Sequence, residues 1–457
     1  MTIDPSPEEM RRLGHVLADR AADYLSDLGQ RRVARRHDSQ TLELQVQEPL
    51  PRAPQGVEAS LDLFFDQFMP SATLVNHPRF FAYIPGPGSF IGALGEWAAA
   101  ITNCFVGTWL GGASMAQLEL QTIDWLREAM GLPEPCEGIV TSGGSMANLS
   151  GIAAARSNAC ATTNATLTLY TSSQAHYSID KSAKLLGFPQ ENIRSVATDA
   201  SQRLCVDALM SAIEKDRACG RTPFLVCATA GTTNTGAIDP LQEIADLCER
   251  QDLWLHVDAA YGGAVALLEE ERSKLAGIER ADSITLDPHK WLYTPFDCGC
   301  LLTRRVDALV NAFTAEGSYM QDVPREEVNF FERGPELSRG NRALKLWLLL
   351  RSVGIDTIAA AIGKDLRFCR LARELLAADP RVRIITEPSL SIFTFAIEGG
   401  ESVNRDLFER ILEDGYLMLS TTQVAGEYAL RLCFANHRTT EDDVRSSMQR
   451  ILDLIEA

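Results

Sequence analysis

The stretch Trp254–Gly263 reads WLHVDAAYGG, and downstream of it Ser283–Trp291 reads SITLDPHKW. Each opens as a short apolar run and stops abruptly at polar, glycine or proline text, the pattern of a buried strand. Two more such runs precede them, Leu167–Thr171 and Phe224–Ala228. Between the runs lie Tyr177–Leu186, Val206–Asp216 and Pro240–Arg250, whose apolar residues recur at helical spacing. From Gly138 to about Arg305 the chain therefore alternates strand and helix, which predicts an α/β fold with a mostly parallel sheet covered by helices. Ligands of such sheets sit at the carboxyl ends of the strands, so chemistry is sought just after each run.

Outward from this centre the text changes character. Pro7–Leu28 carries apolar residues at Leu13, Val16, Leu17, Ala21, Tyr24 and Leu25, one stripe of a helix with a charged opposite face. Such a helix could pack on a partner subunit. Pro-rich residues from Gln47 to Gly56 read as a linker, and helical text resumes at Ser60. Past Leu337 a helix is predicted over Ala343–Val353, and the rest of the 457 residues mixes short strands with helices. The expected organisation is an N-terminal helical segment over 1–75, a large ligand-binding domain over 76–345 and a small α/β domain over 346–457.

A net charge of -18, with no basic stripe longer than Arg31–Arg32 and Arg35–Arg36, argues against nucleic acid and anionic lipid as partners. Ile91–Ala113 approaches membrane length, but Glu96, Asn103 and many small residues make a buried helix followed by a loop the expectation, not a membrane span. The cysteines lack the paired spacing of a zinc site, and Cys298 and Cys300, two apart in an apolar run, are expected to be buried free thiols. Free thiols and a polar, acidic Met1–Met10 point to the cytoplasm.

On a strand, His256, Asp258 and Ala260 share one face. A carboxylate beside a small methyl suits a flat heterocycle, with Asp258 near a ring nitrogen and Ala260 against the ring; a strand-end Asp capping a turn has the same pattern. Lys290 follows an apolar run and a proline, where an amine in a partly desolvated site would lose its proton more readily and attack an aldehyde. In Ile139–Leu149, IVTSGGSMANL, a strand runs through two glycines into a helix, whose free amides at Gly144 and Ser145 could bind an anion. Ala175–Leu186, AHYSIDKSAKLL, sets His176 at the head of a helix, where an imidazole could stack on a ring. Thr232 and Thr233 follow the Phe224–Ala228 run and could donate to the same ligand, although Gly-Thr-Thr is also ordinary turn chemistry.

As a set, these residues resemble the group II pyridoxal-phosphate decarboxylases, the family of aromatic-L-amino-acid decarboxylase. The resemblance runs over nearly the whole chain and includes HPRFFAY at His77–Tyr83, the stretch from Trp109 to Glu119, and ELSRGNRALKLW at Glu336–Trp347. It implies fold type I, aspartate aminotransferase-like, with a mostly parallel seven-stranded sheet. It implies pyridoxal 5'-phosphate as cofactor, carried by Lys290 as a Schiff base, with Asp258 on the pyridinium nitrogen, His176 stacked on the ring and Ala260 on the opposite face. Gly144, Ser145 and His289 would hold the phosphate, with Thr233 near the cofactor. Tyr83 and Pro85 match a segment lining the substrate pocket, partly from the neighbouring subunit of an obligate homodimer with shared active sites. The implied reaction is decarboxylation of an L-amino acid to the amine and carbon dioxide. The implied substrate is aromatic, and phenolic because Ser338 stands where plant relatives use Ser for phenolic substrates.

The chain departs from the family in one loop. Many members carry there a tyrosine that returns the proton to Cα, but Gln321–Leu337 contains none, and ungapped counting back from Arg339 puts Phe330 and Phe331 at its place. Loss of that donor is associated in the family with oxidative deamination to an aldehyde, which is the second reading, beside decarboxylation of a non-aromatic amino acid. A nicotinamide oxidoreductase would want GxGxxG, which Gly143–Gly144 does not supply. A silent binding protein of this fold would be expected to lack Lys290 or Asp258. An aminotransferase of the same superfamily would be revealed by acceleration with 2-oxoglutarate.

Overall fold

The computed structural model describes residues 3–159, 164–315 and 326–456. Seven strands build the main sheet: β1 (Glu137–Thr141), β2 (Leu167–Ser172), β3 (Ile193–Val196), β4 (Thr222–Thr229), β5 (Trp254–Asp258), β6 (Ser283–Leu286) and β7 (Gly299–Thr303). Their order is β1-β7-β6-β5-β4-β2-β3, and β7 alone among them runs antiparallel to its neighbours. The predicted runs thus become strands, and the segments between them become the helices Ser178–Leu185, Val206–Ala218 and Leu241–Gln251. β2, β5, β6 and β7 are buried throughout, which is why they read as continuous apolar text and not as alternation. The covering helices are one-sided instead: Leu241–Gln251 buries Leu241, Ile244, Ala245 and Cys248, one face at helical spacing.

A second sheet, antiparallel throughout, is built from β8 (Val382–Ser389), β9 (Ile392–Ile397), β10 (Ser420–Val424) and β11 (Glu427–Cys433), in the order β10-β11-β9-β8. It has a core of its own around Phe393, Phe395, Leu407, Leu430 and Val444. The helix Ala343–Val353 joins the two parts and spans position 345/346, where the sequence suggests a boundary. It meets Ile355–Ala377 at Gly354 with a bend of 91°. Among the described residues no single helix is long and apolar enough to cross a membrane.

Ile91–Ala113 corrects one expectation. The helix Phe90–Thr102 ends at Asn103 in left-handed conformation, and a second helix, Trp109–Met130, starts at Thr108, whose side chain caps the amide of Gly111. The first helix is not buried: Phe90, Leu94, Trp97 and Ile101 are exposed. Its small residues do the packing, for a Cβ on Gly95 would lie 2.6 Å from the Cα of Lys345. With the glycine side pressed on the Ala343–Val353 helix, the large apolar side chains face outward.

One ion pair lies wholly inside the large domain. Arg339 donates to Glu119 at 2.7 Å and to the carbonyl of Val140 at 2.7 Å, and Glu119 accepts the Val140 amide at 2.9 Å. Both side chains are fully buried, and the guanidinium lies 4.8 Å from the ring centroid of Phe330. Removing one partner strands the other charge, so Glu119→Ala is expected to cost about 3–5 kcal/mol. A denaturation midpoint would show a large drop for this variant and almost none for Glu441→Ala, which breaks the exposed pair with Arg445.

Candidate active site

β1, β2, β4, β5 and β6 point the same way, so their carboxyl ends open onto one edge of the sheet. A cavity of about 320 Å³ lies there, of the size that small-molecule sites occupy. Each strand contributes the residues that follow it: Gly144 and Ser145 after β1, His176 after β2, Thr233 after β4, Asp258 and Ala260 at the end of β5, His289 and Lys290 after β6. All eight residues named from sequence as ligand-holding line this one cavity.

Asp258 is fixed from two sides. Its Oδ1 accepts the Ala260 amide at 3.1 Å, and its Oδ2 accepts from Asn148 Nδ2 at 2.9 Å. Asn148 also donates to Ser178 Oγ at 2.9 Å, and Ser178 lies 2.8 Å from His176 Nδ1, which accepts from the hydroxyl and from the Ser178 amide. The remaining Asn148 oxygen accepts from His256 Nε2 at 2.9 Å, so Nδ1 of His256 takes the hydrogen of Ser283 Oγ at 2.8 Å. Burial pushes His256 down to about 4, against the opposing pull of Asp258, and the ring is neutral. Burial also lowers His176. The result is a carboxylate with a fixed orientation beside a neutral imidazole.

Lys290 Nζ lies 2.9 Å from Asp287 Oδ2. Burial acts to lower this amine, but the carboxylates of Asp287 and Asp258 outweigh it and hold the ammonium above its ordinary range. This corrects the expectation that the site alone makes Lys290 readier to lose its proton: a strand end supplies desolvation, but two acidic neighbours prevail. His289 accepts the Cys298 amide on Nδ1 at 3.1 Å, which leaves Nε2–H toward the cavity side, 3.6 Å from Asp287 Oδ2.

Sequence reasoning missed Asn148, Ser178 and Asp287. Asn148 stands one helical turn beyond Gly144, on the same face, and that spacing could have found it.

The residues named for substrate are not brought into this cavity. Phe330 is 0% exposed, packed in the core under Arg339, so its ring reaches neither this cavity nor the surface; this corrects its assignment to the substrate. Phe331 is half-buried, its amide bonded to the carbonyl of Gly107. Residues 321–325 of the Gln321–Leu337 loop lie outside the described residues. Pro85 is buried in a segment packed on the His289 loop, where a Cβ on Gly86 would come 2.4 Å from the His289 carbonyl oxygen. Tyr83, 61% exposed, and Ser338 face outward.

Residues 43–398 match the family model described as pyridoxal-dependent decarboxylase conserved domain. The aromatic-L-amino-acid decarboxylase of Bacillus atrophaeus is 37% identical, over 99% of this chain and 96% of its own length. Among solved structures, Oryza sativa TDC with PLP and tryptamine superposes with a TM-score of 0.95 at 27% identity, covering 100% of this chain and 99% of that one. The 4-hydroxyphenylacetaldehyde synthase of Rhodiola rosea superposes with a TM-score of 0.93 at 29% identity, covering 99% and 98%.

The donor set fits pyridoxal phosphate: an amine for its aldehyde, a fixed carboxylate for its ring nitrogen, and free amides at a helix start for its phosphate. The cradle is shaped by missing side chains, since a Cβ on Gly143 would lie 3.0 Å from the His289 ring and one on Gly144 would lie 3.3 Å from the Ala260 methyl. The chain thus belongs to the pyridoxal-dependent decarboxylase family, and is an amino acid carboxy-lyase with pyridoxal phosphate as its cofactor.

Proposed function

We propose that this enzyme decarboxylates an aromatic L-amino acid, with phenolic substrates preferred, to the amine and carbon dioxide. The observation that carries the reading is the convergence of Lys290, Asp258 and His176 on one cavity at the strand ends. The substrate class is supported by the names of the relatives above and, for the phenolic preference, by Ser338.

Bound pyridoxal phosphate supplies a sink for the electron pair left at Cα when carbon dioxide departs. Lys290 is the residue whose amine would hold the cofactor at its aldehyde carbon. Asp258, its two oxygens already anchored by Asn148 and the Ala260 amide, presents a negative charge that would keep the ring nitrogen protonated. His176, neutral and oriented through Ser178, and the small Ala260 are the residues that would pack on the ring. The amides of Gly144 and Ser145, the Ser145 hydroxyl and His289 Nε2–H would donate to the phosphate, and Thr233 would donate nearby. Substrate contacts would orient the bond at Cα that is to break.

The same reading takes the enzyme to be a homodimer with shared sites. Phe90, Leu94, Trp97, Ile101 and Leu110 are large, apolar and exposed, the kind of surface that a second copy covers. Outward-facing Tyr83 and Ser338 would then serve the partner's cavity, and the N-terminal helix would pack on the partner. A cytoplasmic location agrees with the unpaired thiols of the described cysteines.

A second reading, aldehyde formation with peroxide as by-product, is favoured by two observations: no tyrosine in Gln321–Leu337 and a close superposition on an aldehyde synthase.

Borohydride treatment of the yellow holoenzyme should fix the cofactor on Lys290, as peptide mapping would show; label recovered on another residue defeats the assignment. Asp258→Ala should still bind cofactor yet lose about 10²–10³-fold in turnover, the scale of one preorganised electrostatic contact; near-normal rates would mean the ring-nitrogen partner is another group. Incubation with an amino-acid panel should give amine and carbon dioxide in equal amounts, fastest with tyrosine or dopa. Aldehyde and hydrogen peroxide as main products would replace the first reading with the second.

A further inference from the structure

The anion end of the cavity contains a carboxylate. Asp287 lines the cavity and is 5% exposed. Its Oδ2 lies so close to the helix start that a methyl on Gly144 would come within 2.8 Å of it. Its Oδ1 is buried with no hydrogen-bond partner. A phosphate monoester carries about -1.5 to -2 charges near neutral pH, and two anions in contact cannot both stay fully ionised at little cost.

The groups around Asp287 do not remove this conflict. Lys290 and His289 face it from its own loop, with Asp258 and His176 across the cavity. Lys290 is its close cation, but that amine must give up its surplus proton before it can attack an aldehyde. His289 is lowered by burial and is a neutral donor. Asp287 also borders a neighbouring cavity, whose charged residues are Arg272, Arg351, Glu128 and Asp356, two of each sign, so no net charge comes from that side.

We propose that Asp287 and the cofactor phosphate share one proton, so that the phosphate's contribution to cofactor capture requires a protonated carboxyl–phosphate pair and weakens as pH rises. This rests on the reading that places the phosphate at Gly144 and Ser145. Lys290 is the source of the proton: it passes from Nζ to Oδ2 across 2.9 Å, leaving a neutral amine. The amine's lone pair bonds the aldehyde carbon, and the carbonyl oxygen leaves as water with the two remaining amine hydrogens. One transfer thus frees the nucleophile and removes the repulsion.

The test compares binding of pyridoxal 5'-phosphate and of pyridoxal, which lacks the phosphate, to the cofactor-free full chain by absorbance between pH 7 and pH 9. Both need the Lys290 amine, so its titration cancels in the ratio of their dissociation constants. In the wild type the advantage of the phosphate ester should fall by up to about tenfold per pH unit, the slope of one linked proton. In Asp287→Asn the advantage should become flat with pH and exceed the wild-type value at pH 9. A wild-type advantage that does not change with pH overturns the proposal without any variant, as does the same slope in Asp287→Asn. Equal binding of the two compounds at every pH would instead defeat the placement of the phosphate.

Discussion

Asn148 gives both of its amide hydrogens to acceptors in different parts of the chain, Asp258 at the end of β5 and Ser178 at the head of the helix after β2, while its oxygen accepts from His256 Nε2. The amide stands on the helix that β1 launches, so one side chain ties three separate chain segments into a single geometry. A buried polar network of this kind is stable only when each member is satisfied. The network sets the orientation of the Asp258 carboxylate, the tautomer of His256 and, through Ser178, the ring of His176. The chemistry of the cavity depends on that rigidity, because a carboxylate free to rotate would not hold a constant charge against one ring atom.

The sheet explains why such a site was readable in outline from the chain alone. Parallel strands buried on both faces leave long apolar runs, and their ends are marked by the first polar or glycine residue, so Lys290, Asp258, Gly144 and His176 stand where the runs stop. What the text hid was of two kinds. Asp287 sits in the same motif as Lys290, yet its influence depends on a distance between side chains, and reading Lys290 by desolvation alone gave the wrong direction for its proton affinity. Phe330 was placed by counting along the chain, but counting does not say on which side of the backbone a ring falls; the stack on Arg339 carries it into the core.

Small residues misled in a similar way. In Phe90–Thr102 the glycines made the segment read as buried, and it is their side that is buried, while the aromatic and aliphatic side chains point out. Periodicity reports that a helix has two unlike faces, and the larger face is inward only if its neighbour leaves room. Here the Ala343–Val353 helix approaches closely enough that only glycine fits.

The cysteines lead somewhere else. Cys227, Cys298 and Cys300 are buried, and burial drives each thiol upward, Cys298 to about 12. Oxidants and alkylating agents act on the thiolate, so these positions resist such reagents for as long as the fold stays closed. A sulfur at one of these three positions that becomes modifiable therefore reports unfolding and not chemistry at the site, whereas Cys219 is exposed in the folded chain.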